Sequence, residues 1–186
     1  ITVNDNLRPL SFKKLSTMAY DMAVSLSYFD NSFRASYIFR GSDYTSFGQT
    51  FLRKDVAGYS LLDRMRLFDN ELIVTLGFER LHDNTSDAKA ATTRFTTFNL
   101  AATYDPRSEM PSITVGYTHY ANANNLISPK ADSISTVEDQ TNRIFFLASH
   151  RFEYLASHSA TASISTSQRD DYTVRKLDVR NMSVSF

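Results

Sequence analysis

The run Met18 to Tyr28 constrains this chain more than any other stretch. Its even positions are Met18, Tyr20, Met22, Val24, Leu26 and Tyr28, and its odd positions are Ala19, Asp21, Ala23, Ser25 and Ser27. Successive side chains of a strand point to opposite faces, so this two-residue period predicts a β-strand with one apolar side and one small, polar side. A helix does not sort these residues. Strands of soluble proteins average about 5 to 6 residues, whereas a tilted strand crossing a bilayer needs about 9 to 11. The period here is held for the longer length.

Composition permits a membrane sheet and excludes a membrane helix. The 186 residues are 42% hydrophobic, and no window approaches the roughly 18 consecutive apolar residues that a transmembrane helix requires. A mean hydropathy of −0.31 is uninformative about barrel strands, which carry a polar residue at every second position. The 20 basic and 20 acidic residues cancel and are interspersed, so no electrostatic footprint for nucleic acid is present. Cys is absent, which removes disulfides, thiolate nucleophiles and Cys-based metal sites together. With 10 Tyr, 14 Phe and no Trp, any interfacial belt is built from Tyr and Phe. The chain begins at Ile1 without a basic n-region and apolar h-region. Either a signal peptide has been removed or this single β-domain, residues 1–186, is the C-terminal part of a longer chain.

Residues 1–17 form a lead-in with no assigned element. After the first strand, Phe29-Asp30-Asn31-Ser32 has turn composition, and Phe33, Ala35, Tyr37 and Phe39 then alternate with Arg34, Ser36, Ile38 and Arg40. That predicts a hairpin, followed by a long loop over 41–58. Tyr59, Leu61, Met65 and Leu67 next oppose Ser60, Leu62, Arg64 and Arg66, with Asp63 as the misfit. A turn at Asp69-Asn70 leads to Leu72, Val74, Leu76 and Phe78 against Ile73, Thr75, Gly77 and Glu79. Further strands are expected near 95–104 (with Leu100 on the apolar side), 113–118, 143–152, 160–165 and 181–186. Irregular connections fall at 82–93, around Asp105-Pro106-Arg107, at 121–141, at Tyr154 to His158 and at Gln168 to Asp171.

Short and long connections alternate along this series. An antiparallel meander sends alternate connections to opposite ends, so one rim carries tight turns and the other long loops, as outer-membrane barrels do. Tyr28, Phe33, Phe68 and Tyr104 fall at the tight-turn rim, and Tyr20, Phe39, Phe78, Tyr59 and Tyr117 toward the loop rim, implying two girdles. The expected fold is all-β: an antiparallel up-and-down transmembrane barrel, or a segment of a larger one, of about 9 to 10 strands. An odd count places one further strand within 1–17 or upstream of Ile1.

Two stretches resemble known outer-membrane proteins. Phe186, with Val184 and Met182 two and four positions before it, resembles the C-terminal strand signal of bacterial outer-membrane proteins. By that resemblance Phe186 is read by the barrel-assembly machinery. The texture of segment 59–84, Tyr59 through Leu67-Phe68-Asp69-Asn70 and Glu79-Arg80 to Asn84, is similar to hairpins of large outer-membrane barrels of the Bacteroidota and related phyla. It contains no diagnostic motif and transfers no functional residue.

These patterns imply a porin-like, Gram-negative outer-membrane pore for small polar solutes. Its lipid-facing residues are Met18, Tyr20, Met22, Val24, Leu26, Leu72, Val74, Leu76 and Leu100, and its lumen-lining residues Arg34, Arg40, Arg64, Arg66 and Glu79. Rings of Arg select anions; the plainer reading is that these residues pair with lumen acids and fill the barrel. The loop over 41–58 is expected to act as a lid, fold into the lumen or touch another subunit. Two alternatives stand beside the pore: a non-catalytic anchor or scaffold binding a membrane or periplasmic partner through its long loops or periplasmic side, and a soluble lipocalin-like barrel whose apolar parity faces a dry core. No enzyme, cofactor or metal is expected. His82 and His158 fall in predicted connections and His119 and His150 near strand ends, without the paired spacing of a metal site. The abundant Ser gives a Ser-His hydrolase no specific signal.

Overall fold

The computed structural model describes residues 15–45, 53–106, 110–124, 126, 136–173 and 177–186. After a 3-10 turn at Leu15–Thr17 the chain forms β1 (Ala19–Tyr28), β2 (Asn31–Arg40), β3 (Val56–Leu67), β4 (Leu72–His82), β5 (Thr93–Tyr104), β6 (Ser112–Asn124), β7 (Glu138–Tyr154), β8 (Ala156–Asp171) and β9 (Val179–Ser185). They pair in sequence order as one antiparallel up-and-down sheet. The all-β meander is as expected, but the sheet is open. β1 and β9 are its two edges, and both run from the loop rim to the tight-turn rim. A direct β9–β1 seam is therefore parallel, and a closed, fully antiparallel wall needs an odd number of strands beyond these nine.

Several boundaries depart from the expected ones. β3 begins at Val56, inside the expected 41–58 loop, and β6 and β7 extend to Asn124 and from Glu138 into the expected 121–141 loop. The expected turn at Tyr154 to His158 reduces to Leu155 alone, so His158 lies on β8. The expected loop at Gln168 to Asp171 is the end of that strand, 16 residues long. β8 sets Ala156, Ala160, Ala162 and Ile164 against Ser and Thr on the other parity, a weak hydrophobic contrast, and its pairing with β7 makes it a strand. Met18 precedes β1, and its carbonyl accepts the N–H of Gly41 at 2.8 Å. Residues 1–14 of the lead-in lie outside the described residues.

The sheet is one layer thick. Val56 and Ala57, each 2% exposed, are the buried apolar side chains among the described residues. The chain exposes 13977 Å², against roughly 9,000 Å² for a compact globule of this mass. Nothing within the described chain covers the apolar parity.

Within the sheet, close approach fixes one glycine. Gly116 pairs with Phe145, whose ring lies over the space where a Cβ would stand. Such a ring shields the gap that a glycine leaves in a strand. Gly116→Ala is expected to destabilise the fold by roughly 1–3 kcal/mol through overpacking. The double variant with Phe145→Leu should recover most of the loss; thermal unfolding of both proteins checks this.

Candidate functional site

Register assigns every strand residue to one of two faces. Ser25, Arg34, Leu62, Gly77, Asn99, Thr118, Arg143, Ser167 and Asn181 form one continuous row across all nine strands. Arg40, Arg64, Arg66 and Glu79 share its face, so all five expected lumen residues lie together on the polar side. Hydroxyls join neighbouring strands there: Ser36 to Ser60 at 2.7 Å, Thr103 to Thr114 at 3.0 Å, and Ser163 to Ser185 and Ser165 to Ser183 at 2.8 Å. Arg40 meets Asp21 at 3.6 Å, whereas Arg34, Arg64, Arg66 and Glu79 make no ion pair among the described residues. A depression of about 380 Å³ lined by Asp21, Arg34, Ser36, Ser60 and Glu79 lies on the β1–β4 part of the sheet.

Four arginines on or over this face escaped the sequence reading: Arg53, Arg143, Arg151 and Arg169. Arg143 stands between Thr118 and Ser167; the apolar run Ile144 to Leu147 that follows it hides the parity of β7. Arg53, in the connection before β3, lies 4.0 Å over the ring of Phe95, a residue of the polar face on β5. Arg53 therefore stands over the polar side.

The opposite face carries Tyr20, Met22, Val24, Leu26, Leu72, Val74, Leu76 and Leu100, all of the expected lipid-facing residues except Met18. Val24 is 61% exposed and Met22 60%. Asp63 is the acidic misfit on this face, and its Oδ1 accepts the Tyr28 hydroxyl at 3.3 Å. Aromatic rings pair toward the loop rim: Tyr20 with Phe39 at 5.0 Å, Tyr59 with Phe78 at 6.0 Å and Phe98 with Tyr117 at 6.2 Å.

This aromatic line does not follow a register row. The row of Tyr20 reaches β6 at Ala123, yet the β6 ring is Tyr117, displaced toward the tight turns. Beyond the line stand polar side chains: Arg80, His82, Arg94, Thr96, His119 and Asn142. The lower limit, through Phe33, Tyr104 and Phe152, steps in the same direction. The apolar band thus crosses the strands diagonally. A drop of about 1.2 residues per strand, at about 3.3 Å per residue and 4.8 Å between strands, corresponds to roughly 40°.

All four histidines lie on this apolar parity, and none forms a metal cluster among the described residues. His119 Nδ1 lies 2.8 Å from Asn142 Oδ1, which also accepts the Tyr117 hydroxyl at 2.8 Å. The rings of His150 and His158 stack on Phe152 at 5.8 and 5.4 Å.

The densest polar cluster lies at the loop rim and joins residues that sequence reasoning left apart. The Asp55 carboxylate accepts the N–H and hydroxyl of Thr85 at 2.8 and 2.9 Å and meets Lys89 Nζ at 2.5 Å. Lys89 also meets Asp83 at 3.0 Å. Asn84 is buried, and its side-chain carbonyl accepts the Lys89 N–H at 2.8 Å. Burial alone raises the pKa of Asp55, but the Lys89 ammonium, both Thr85 donors and the Asn84 N–H outweigh it and hold it at about 2, below its ordinary 3.8. The cluster fixes the 83–92 connection over the start of β3. Its chemistry is structural: each oxygen of Asp55 is already engaged.

Comparison with models of known protein families, with curated proteins and with solved structures finds no match for this chain.

Proposed function

We propose that the nine strands form part of the wall of an outer-membrane β-barrel, with the apolar parity against lipid and the polar parity lining an aqueous path for small polar solutes. The diagonal apolar band carries this reading. A bilayer is a slab with parallel boundaries, and strands of membrane barrels tilt about 35–45° to its normal. An apolar zone cut by such a slab must slide along successive strands, and the observed slope of roughly 40° is the required amount. In β1 the zone spans Tyr20 to Tyr28, about 26 Å along the strand and about 20 Å along the normal, close to the roughly 25 Å of known barrels. A soluble sandwich has no reason to impose such a plane.

On the polar side Arg34, Arg40, Arg64, Arg66, Arg143, Arg151 and Arg169 outnumber Asp21, Glu79, Asp139, Glu153 and Asp171 by seven to five, so the path favours anions. The test is ion conductance of the full-length protein reconstituted in liposomes. Anion-selective conductance is expected, with the anion-to-cation ratio falling several-fold in Arg34→Ala/Arg64→Ala/Arg143→Ala. A folded, membrane-inserted protein without conductance removes the pore and favours the scaffold reading.

A further inference from the structure

The tight-turn rim has a property that neither packing nor backbone preference within the chain explains. Each of its four turns carries a large, exposed apolar side chain: Phe29 is 100% exposed, Phe68 74%, Met110 65% and Leu155 99%. Phe29, Phe68 and Leu155 also hold left-handed φ values of 48°, 52° and 57°. That conformation is strained for a bulky residue by about 1 kcal/mol or more and is taken readily by Gly or Asn. In water these positions gain nothing from Phe or Leu.

Their depth supplies a reason. Phe29 follows Tyr20 by the same chain length as Phe68 follows Tyr59, and both Tyr belong to the aromatic line on the loop side. Nine residues of strand tilted by roughly 40° span about 23 Å of membrane normal. The tips thus fall at the opposite edge of a band roughly 25 Å tall, where amphipathic and aromatic groups partition. Their charged neighbours set the surface chemistry. In sequence the four turns carry five acids, Asp30, Asp69, Glu71, Asp105 and Glu109, against one base, Arg107.

We infer that the four turn tips anchor the wall in the interfacial layer of the tight-turn leaflet, and that this leaflet presents a zwitterionic rather than an anionic lipid surface. The inference rests on the membrane reading above and adds to it a second lipid contact, through turns instead of strand faces.

These 186 residues contain no Trp, so each introduced indole is read as the difference from the unsubstituted protein. Phe29→Trp, Phe68→Trp and Leu155→Trp alter exposed turn positions, and Val24→Trp places a control within the apolar band. Each full-length variant is reconstituted in phosphatidylcholine vesicles whose acyl chains are brominated either near the headgroup or deep. Expected is blue-shifted emission from all four, with the three tips losing most of it to shallow bromines and Val24→Trp to deep ones. Replacing part of the phosphatidylcholine by phosphatidylglycerol should weaken quenching at the tips. Water-like, unquenched emission at the tips with Val24→Trp still quenched overturns the anchoring and leaves the membrane wall standing. Tip quenching that is equal or stronger with phosphatidylglycerol overturns the zwitterionic assignment. If Val24→Trp is itself unquenched, the membrane reading fails and the inference with it.

Discussion

Arginine at Val24 or Leu100 is expected to destabilise the bilayer-inserted protein by about 2–4 kcal/mol, whereas arginine at Asn99 changes stability by less than about 1 kcal/mol. Leu100 lies between Leu76 and Tyr117 on the apolar parity, so its replacement puts a cation among hydrocarbon tails. Asn99, one residue away, faces Gly77 and Thr118 on the polar side, where the long side chain has both room and hydroxyl partners. Phe98 gives the sharper comparison. It shares a register row with Val24, yet the diagonal places Val24 within the apolar band and Phe98 at its edge, next to His119 and Asn142. The cost at Phe98 should therefore be well below that at Val24. Urea unfolding in phosphatidylcholine vesicles measures all four variants. Equal costs at Val24 and Phe98, or folding of the unsubstituted protein in lipid-free buffer, count against the slab and for a packed soluble core.

What the sequence discloses follows from which properties are periodic. β1 and the β3–β4 hairpin are legible because one parity is large and apolar while the other is small or charged. The same contrast places Arg34, Arg64, Arg66 and Glu79 on a common face. β7 obscures its parity by putting Phe145 and Leu147 on the polar face, where the Phe145 ring fills the gap over Gly116. That concealment hides Arg143. β8 fails in another way, because the Ala of one face contrasts too little with the Ser and Thr of the other. The diagonal of the apolar band has no signature in any single strand, because it is a relation between the apolar limits of neighbouring strands and their register. The Asp55 cluster is equally invisible, since Asp55 lies 30 residues before Thr85 and meets it and Lys89 only when β3 and β4 pair.

That cluster makes the second large prediction. Asp55→Ala leaves the Lys89 ammonium, the Thr85 N–H and the Thr85 hydroxyl without their shared acceptor in a site where the Asp55 side chain is 11% exposed. A loss of about 2 kcal/mol is expected from stranding these donors. The pH dependence has a definite sign. The folded pKa of Asp55 is about 2 and its ordinary value is 3.8, so the folded state holds the proton less tightly than the unfolded chain. The contribution is complete above about pH 5 and is lost as pH falls through the folded value, amounting to about 2 kcal/mol. Lys89 behaves in the reverse sense. Its hydrogen bond to Asp55, followed by that to Asp83, raises its pKa above 10.5, so its contribution is complete below that pH and lost as pH rises through the folded value. Thermal unfolding of the reconstituted protein between pH 2 and 7 should show a fall in stability at the acid end that Asp55→Ala lacks. Proteolysis of the 83–92 connection should accelerate over the same acid range in the unsubstituted protein, and should already be fast at neutral pH in Asp55→Ala. An acid limb of equal size in both proteins would assign the loss to other carboxylates. Unchanged proteolysis would mean that the connection is held by Asp83 and Asn84 without Asp55.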